Sequence, residues 1–145
     1  MAKDLYTAEA HVTGGRLAGH GRTSDGVLEV DIRPPAEAGG EGGGTNPEQL
    51  FAVGYAACFG SAIEAVARRR KLEVEDVAID SKVKLRAGEE RNFTIAAELH
   101  VALPSLEEAE AVDLVRAAHR VCPYSHATRG NVEVVLTANG APVDA

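Results

Sequence analysis

The chain contains few residues of several types, and each scarcity excludes some classes of function. Its 145 residues include no tryptophan, one methionine and two cysteines, Cys58 and Cys122. Lysine and arginine number 15 against 22 aspartates and glutamates, a formal net charge of −7. Because nucleic acids are bound through a concentrated positive field, we expect no nucleic-acid partner. The one basic run, at 68–71, falls at the end of a predicted helix, where cations complement the helix dipole.

The sequence also lacks the apolar segments that direct proteins to or across membranes. The N-terminal residues contain no apolar stretch of the signal-peptide type. No apolar run approaches the ~20 residues of a membrane span. We therefore expect a cytoplasmic protein with no membrane partner. In that compartment the disulfides that do form are usually transient and catalytic, which favours a functional role for the two cysteines.

Common cofactor and catalytic motifs are missing as well. The five histidines are scattered, and none forms a Cys/His cluster with zinc spacing. The glycine-rich segment has no P-loop lysine, and Gly14-Gly15 is not a dinucleotide fingerprint. No Gly-x-Ser-x-Gly motif is present. The two cysteines are therefore the strongest candidates for chemistry.

The apolar patterning predicts one α+β domain over residues 1–145. Helical spacing indicates one helix that begins after Asn46 and runs to about Arg70, and a second that ends at Cys122. Strict alternation from Phe93 to Leu103 indicates the clearest strand. Further strands are predicted at about 5–12, 16–23, 27–32, 77–85 and 132–137, with a flexible connector at 34–44. Because adjacent strands form hairpins, we expect antiparallel sheets.

Local signals define where the two helices begin and end. Asn46 is a good N-cap, Pro47 suits the first helical position, and Gln49 completes a capping-box pattern. Ser105, three residues before a glutamate, predicts a second capping box. Pro123 prevents the second helix from continuing.

Both cysteines are predicted to point into the protein interior. Cys58 lies in mid-helix on an apolar stripe, and Cys122 extends the face of Val115 and His119. A pairing in space is consistent with this placement, although sequence gives no distance. Free cysteine is among the most buried residue types, so two inert thiols in a core remain an alternative.

The two thiols are not equivalent. Cys122, at a helix C-terminus, feels the negative end of the dipole, which opposes a thiolate. Cys58 gains little from the dipole, so a nearby cation must lower its pKa if it is the nucleophile. A fall from ~8.5 to ~6 raises the thiolate fraction at pH 7 from a few per cent to about 90%. Arg16 is the candidate cation, and Glu48 could orient it through a bidentate ion pair.

Helix geometry restricts how Glu48 can act. Ten residues of continuous helix separate it from Cys58 by ~15 Å and about 80° of rotation. Glu48 therefore serves this thiol only if the helix breaks, or if it reaches Cys58 of a second subunit. We expect a dimer with shared sites.

At these residues the chain resembles the organic hydroperoxide resistance proteins, the Ohr branch of the Ohr/OsmC family. The matching segments are Gly14-Gly15-Arg16, Gly44-Thr-Asn-Pro-Glu-Gln-Leu-Phe51, Gly54-Tyr-Ala-Ala-Cys-Phe59 and Cys122-Pro-Tyr-Ser-His-Ala-Thr-Arg-Gly-Asn131. Their order and spacing match along essentially the whole chain. The resemblance implies an OsmC-like fold, in which antiparallel sheets wrap around two central helices in an intertwined homodimer.

The resemblance also implies an activity and its residues. It implies a thiol peroxidase that reduces alkyl and lipid hydroperoxides to alcohols. Cys58 matches the peroxidatic cysteine and Cys122 the resolving one, and Arg16 with Glu48 matches the pair that activates the thiolate. No bound cofactor or metal is implied. The reductant is an external dithiol such as dihydrolipoamide, carried on a lipoylated protein.

Three alternatives stay open beside this interpretation. One is an OsmC-type peroxidase of broader substrate range, and another is a thiol redox sensor or binding protein. The third has both thiols inert. Phe51, Tyr55 and Phe59 could line an apolar substrate pocket near Cys58 or could belong to the core.

Overall fold

A computed structural model describes residues 1–144 as two compact units. The first ends at Leu50 and the second begins at Phe51. The predicted α+β class is confirmed. The prediction of a single domain over 1–145 is not tested by this division and stays a prediction.

The first unit contains a three-stranded antiparallel sheet. Its strands are β1 (Ala10–Thr13), β2 (Gly19–Thr23) and β3 (Glu29–Ile32), in that order across the sheet. All three are shorter than predicted. β1 begins only at Ala10, which pairs with Thr23, because β2 ends there and leaves the preceding residues without a neighbouring strand in this sheet. The predicted connector includes a short 3-10 helix at Ala36–Ala38.

The helix α1 (Pro47–Arg70) has the predicted bounds, and it begins in the first unit and continues into the second. The Asn46 side-chain oxygen accepts a hydrogen bond of 2.9 Å from the main-chain N–H of Gln49. The other half of the capping box does not form, because the Gln49 side-chain oxygen accepts instead from the Thr45 hydroxyl at 2.8 Å. The bond from Gln49 confirms Asn46 as the N-cap, and the capping box is only half formed.

The second unit packs helices against a four-stranded sheet. The strands are β4 (Ala78–Ala87), β5 (Phe93–Ala102), β6 (Glu133–Ala138) and β7 (Ala141–Val143), in that order. Two further helices are α2 (Glu108–Val121) and α3 (Pro123–Thr128). The core contains apolar side chains from the inner face of the sheet together with side chains of α1 and α2, among them Phe59, Ile63, Leu99, Leu114, Val115 and Leu136.

Two strand predictions need correction. β6 runs parallel to β5, not antiparallel, because the chain crosses over through α2 and α3 before it returns to the sheet. β7 was not predicted, although Asn139-Gly140 is a hairpin signal. Both turn residues have the positive φ that this turn requires, 47° at Asn139 and 85° at Gly140.

Two helix predictions are also corrected. α2 begins at Glu108 without a side-chain cap. The Ser105 hydroxyl instead accepts a hydrogen bond of 3.2 Å from the main-chain N–H of Glu75, so the second capping box is wrong. Pro123 does end α2, but it also occupies the first position of α3, which the sequence pattern missed.

By length and composition alone, α1 could cross a membrane. The expectation from the sequence that no run approaches that length is therefore too strict for this helix. Core helices of globular proteins pass the same test, and α1 buries Tyr55, Phe59 and Ile63 in the core of the second unit.

Candidate active site

The first unit contains a bidentate ion pair between Arg16 and Glu48. Both guanidinium NH groups donate to the two carboxylate oxygens at 2.8 Å. The Arg16 side chain is 45% exposed and that of Glu48 is 16% exposed. The hydrogen bond from Arg16 lowers the pKa of the Glu48 carboxyl and holds it ionised. The pair fixes the direction of the guanidinium, which leaves its other edge available to a ligand.

A glycine turn carries Arg16 to this position. Gly14 and Gly15 have φ values of 73° and 60°, a region that favours glycine. A side chain at Gly14 would also collide with the Ala18 carbonyl oxygen, which lies 2.2 Å from the Cβ position. Gly14 is therefore required both by its conformation and by the space around it.

α1 is unbroken between Glu48 and Cys58. The helix therefore has no break that would let Glu48 reach Cys58 of the same chain. The helical rise separates the two residues by ~15 Å.

The second unit brings the two cysteines together. Their sulfur atoms lie 3.6 Å apart, and both thiols are free. Cys58 is half-buried, whereas Cys122 is completely buried. A disulfide needs about 2.05 Å, so an approach of about 1.5 Å would join them.

The immediate surroundings do not ionise Cys58. Burial raises the pKa of the Cys58 thiol, and the neighbouring Cys122 thiol acts in the same direction. The main-chain N–H of Tyr124 donates to the Cys58 sulfur and lowers its pKa in part. No cation of the second unit, as far as it is described, contributes to this shift. A lowered pKa therefore requires a cation supplied from elsewhere.

Cys122 lies between two helices, not only at the end of one. Cys122 caps the C-terminus of α2 and is also the N-cap of α3. It therefore lies at a negative helix end and a positive helix end at once, and the sequence revealed only the first.

Residues that the sequence reasoning missed surround the thiols. Tyr124 is 40% exposed and packs its ring 6.0 Å from that of Phe51. Its hydroxyl lies over Gly54, where a Cβ would meet it at 3.3 Å. Tyr55 and Phe59 are fully buried and belong to the core, so Phe51 and Tyr124 offer the accessible aromatic surface. The signal for Tyr124 was its place two residues after Cys122.

A polar cluster was also missed. Ser125 is buried and contacts Tyr55 and His119, each at 2.8 Å. His119 is thus a packed, hydrogen-bonded imidazole. Among residues 1–144, no three His, Cys, Asp or Glu side chains lie close enough together to hold a metal ion.

The second unit thus contains two free thiols in contact, of which Cys58 is half-buried and Cys122 is buried. The model of the OsmC-like protein family matches residues 40–137, and the chain belongs to this family. Within it the chain belongs with the organic hydroperoxide resistance proteins. It is 52% identical over 140 residues to the organic hydroperoxide resistance protein of Xanthomonas axonopodis pv. citri, with 93% of this chain and 95% of the relative covered.

Solved structures give the same family. The organic hydroperoxide resistance protein from Legionella pneumophila has a TM-score of 0.88 at 54% identity and covers 92% of this chain and 97% of its own. The OhrB protein of Bacillus subtilis has a TM-score of 0.84 at 50% identity and covers 92% and 98%. The resemblance to Ohr and the OsmC-like fold predicted from the sequence are confirmed.

Proposed function

We propose that this protein is a thiol peroxidase that reduces organic hydroperoxides. The observation that carries the proposal is the 3.6 Å contact between Cys58, which is half-exposed, and Cys122, which is buried. Relatives at about half identity are named for organic hydroperoxide resistance. The chain has no other cysteine, so any thiol chemistry must use this pair.

The first step oxidises Cys58. Its thiolate attacks the terminal oxygen of the hydroperoxide, the O–O bond breaks, and the sulfur becomes a sulfenic acid. The remaining oxygen leaves as an alkoxide and takes up a proton to give the alcohol. A fixed guanidinium, that of Arg16, would stabilise the charge on the leaving oxygen.

The second step closes the disulfide. The Cys122 thiol attacks the Cys58 sulfenic acid, a sulfur–sulfur bond forms, and water leaves with the former peroxide oxygen. This protects Cys58 from further oxidation. An external dithiol then reopens the disulfide by exchange, is itself oxidised, and returns both cysteines to thiols. We propose a lipoyl dithiol such as dihydrolipoamide on a lipoylated protein as this reductant, acting in the cytoplasm.

We further propose that the protein is a homodimer with shared sites. The unbroken α1 separates Glu48 from the Cys58 of its own chain by ~15 Å, and the ion pair keeps Arg16 beside Glu48. The cation that Cys58 needs would then come from Arg16 of a second copy.

Mixing two impaired variants tests this sharing. Cys58→Ser subunits keep Arg16, and Arg16→Gln subunits keep Cys58. After co-refolding, random pairing gives heterodimers with one complete site, and we expect about a quarter of wild-type activity. Peroxide turnover of the mixture, compared with each variant alone, is the measurement. No recovery in a mixture shown to contain heterodimers would contradict shared sites.

Phe51 and Tyr124 support a preference for organic peroxides, because their rings pack together and Tyr124, whose main chain bonds to the Cys58 sulfur, is 40% exposed. Rates with a lipid hydroperoxide and with hydrogen peroxide separate this protein from an OsmC-type peroxidase of broader range. Steady-state turnover of cumene hydroperoxide with dihydrolipoamide separates an enzyme from a redox sensor.

Intact mass after one equivalent of organic hydroperoxide tests the cysteine mechanism. We expect the parent protein to lose two hydrogens, because the disulfide closes. Cys122→Ser should instead gain one oxygen or more, because its sulfenic acid has no resolving thiol. Unoxidised thiols in the parent protein would end the peroxidase proposal.

A further inference from the structure

A cluster of hydrogen-bonded, buried polar side chains links the segments that carry the two cysteines. The Ser125 hydroxyl lies 2.8 Å from the Tyr55 hydroxyl on α1 and 2.8 Å from Nδ1 of His119 on α2. All three residues are buried. Tyr55 precedes Cys58 by three residues, and His119 and Ser125 lie three residues before and after Cys122. Each cysteine therefore lies within about one helical turn of a residue of this cluster.

The donors of this cluster have one consistent order. The Thr128 hydroxyl donates to the Ser125 carbonyl oxygen at 3.2 Å, so it can only accept from Tyr55 at 3.3 Å. Tyr55 then accepts from the Ser125 hydroxyl, which in turn accepts from the Nδ1–H of His119. Each hydroxyl of this cluster both donates and accepts a hydrogen bond, and the Ser125 hydroxyl joins Tyr55 on α1 to His119 on α2.

A further hydrogen bond to His119 holds the corner between α2 and α3. The Arg129 guanidinium donates to the main-chain oxygen of His119 at 2.7 Å, which joins the end of α3 to the last turn of α2. Cys122 sits at the junction and provides no side-chain cap to α3. Its side-chain hydrogen bond is the contact with the Cys58 sulfur. The position of the Cys122 sulfur therefore depends on how this corner is held against α1.

We propose that Ser125 is a positioning residue for disulfide closure, and this inference rests on the proposed peroxidase function. Its hydroxyl holds the α2–α3 corner on α1, so that Cys122 stays in contact with Cys58 while the sulfenic acid exists. Closure competes with attack of a second peroxide, which gives sulfinic acid. A looser corner slows closure but leaves the first attack on peroxide unchanged.

Ser125→Ala tests this by separating the two steps. Stopped-flow measurement follows the peroxide-dependent formation of the sulfenic acid and the peroxide-independent closure. We expect closure to slow about tenfold, because the variant loses the hydroxyl that bonds both Tyr55 and His119, and the first step to stay within about twofold. Intact mass should show more sulfinic acid at each peroxide excess.

Thr137→Val is the matched control. The Thr137 hydroxyl lies 2.9 Å from Nδ1 of His100, so this variant also loses a hydroxyl–imidazole hydrogen bond, but in the sheet. We expect its closure rate to equal that of the wild type. Tyr55→Phe keeps the buried ring and removes the bonds to Ser125 and Thr128, while Ser125 keeps its bond to His119, so it should slow closure by about threefold. If Ser125→Ala does not fold, the closure rate of Tyr55→Phe is compared with that of Thr137→Val instead.

Two outcomes would overturn the role of Ser125. One is closure in Ser125→Ala, or in Tyr55→Phe where that variant carries the test, at the rate of Thr137→Val. The other is an equal slowing of both steps, which marks general structural damage. A wild-type protein that keeps both thiols after peroxide treatment would instead overturn the proposed function itself.

Discussion

Cys58→Ser is expected to abolish peroxide reduction, with a loss of at least about a thousandfold in turnover. A serine hydroxyl is far less nucleophilic than a thiolate and cannot form a sulfenic acid, so no other group can take over the first step. The measurement is steady-state reduction of cumene hydroperoxide with dihydrolipoamide. Cys122, the one remaining thiol, is completely buried and cannot substitute for it.

Cys122→Ser serves as the control for this loss. It keeps the accessible thiol, so it should still consume one equivalent of peroxide in a first burst before it stalls or overoxidises. Cys58→Ser should unfold near the wild-type temperature, whereas Cys122→Ser should unfold at a lower temperature, because it buries a hydroxyl in place of an apolar thiol in the core. Turnover by Cys58→Ser above about one per cent of wild type would contradict the assignment of Cys58 as the nucleophile.

Arg16→Gln is expected to slow the reaction with peroxide by at least about thirtyfold at pH 7. Without the cation, burial keeps the pKa of Cys58 raised, so less of the thiol is ionised at neutral pH than the few per cent of an ordinary cysteine. Because the thiolate is the reactive form, the difference in rate between Arg16→Gln and the wild type should shrink as the pH rises toward the pKa of the thiol. The measurement is the second-order rate of peroxide reduction from pH 6 to pH 10, in wild type and variant.

Two variants sharpen the Arg16 result. Arg16→Lys keeps the charge but loses the bidentate fork, and we expect an intermediate loss. Glu48→Gln keeps Arg16 but removes the carboxylate that directs it, so it should also be slowed, with the same pH trend. A loss that is equal at every pH would contradict a role in thiolate formation and would leave stabilisation of the leaving oxygen as the function of Arg16.

Local signals predicted the parts of the fold that local physics controls. Asn46 and Pro47 predicted the start of α1, because capping depends on neighbouring residues only. The alternation from Phe93 to Leu103 predicted β5, because one side of that strand is buried. The parallel pairing of β5 with β6 could not be read in the same way. It depends on a crossover through two helices, and one of these, α3, is too short to show a helical period.

The candidate site was predictable to a similar degree. The inward direction of both cysteines followed from helical spacing, and the structure places their sulfurs in contact. The Arg16–Glu48 pair was proposed from charge and motif, and the ion pair is present, while its catalytic role stays a prediction. Ser125 was missed because its partner Tyr55 lies 70 residues away, and no local spacing reveals such a hydrogen bond. Ser105 failed for the same reason, since its partner is 30 residues away.

The unequal burial of the two sulfurs decides how the proposed disulfide can be reopened. An incoming thiol can approach the half-exposed Cys58 but has no path to the enclosed Cys122. The mixed disulfide with the reductant therefore forms on Cys58, and Cys122 is the leaving group. The catalytic sulfur is thus both the first atom to meet the oxidant and the first to meet the reductant. Substrate and reducing partner must use one entrance, in turn.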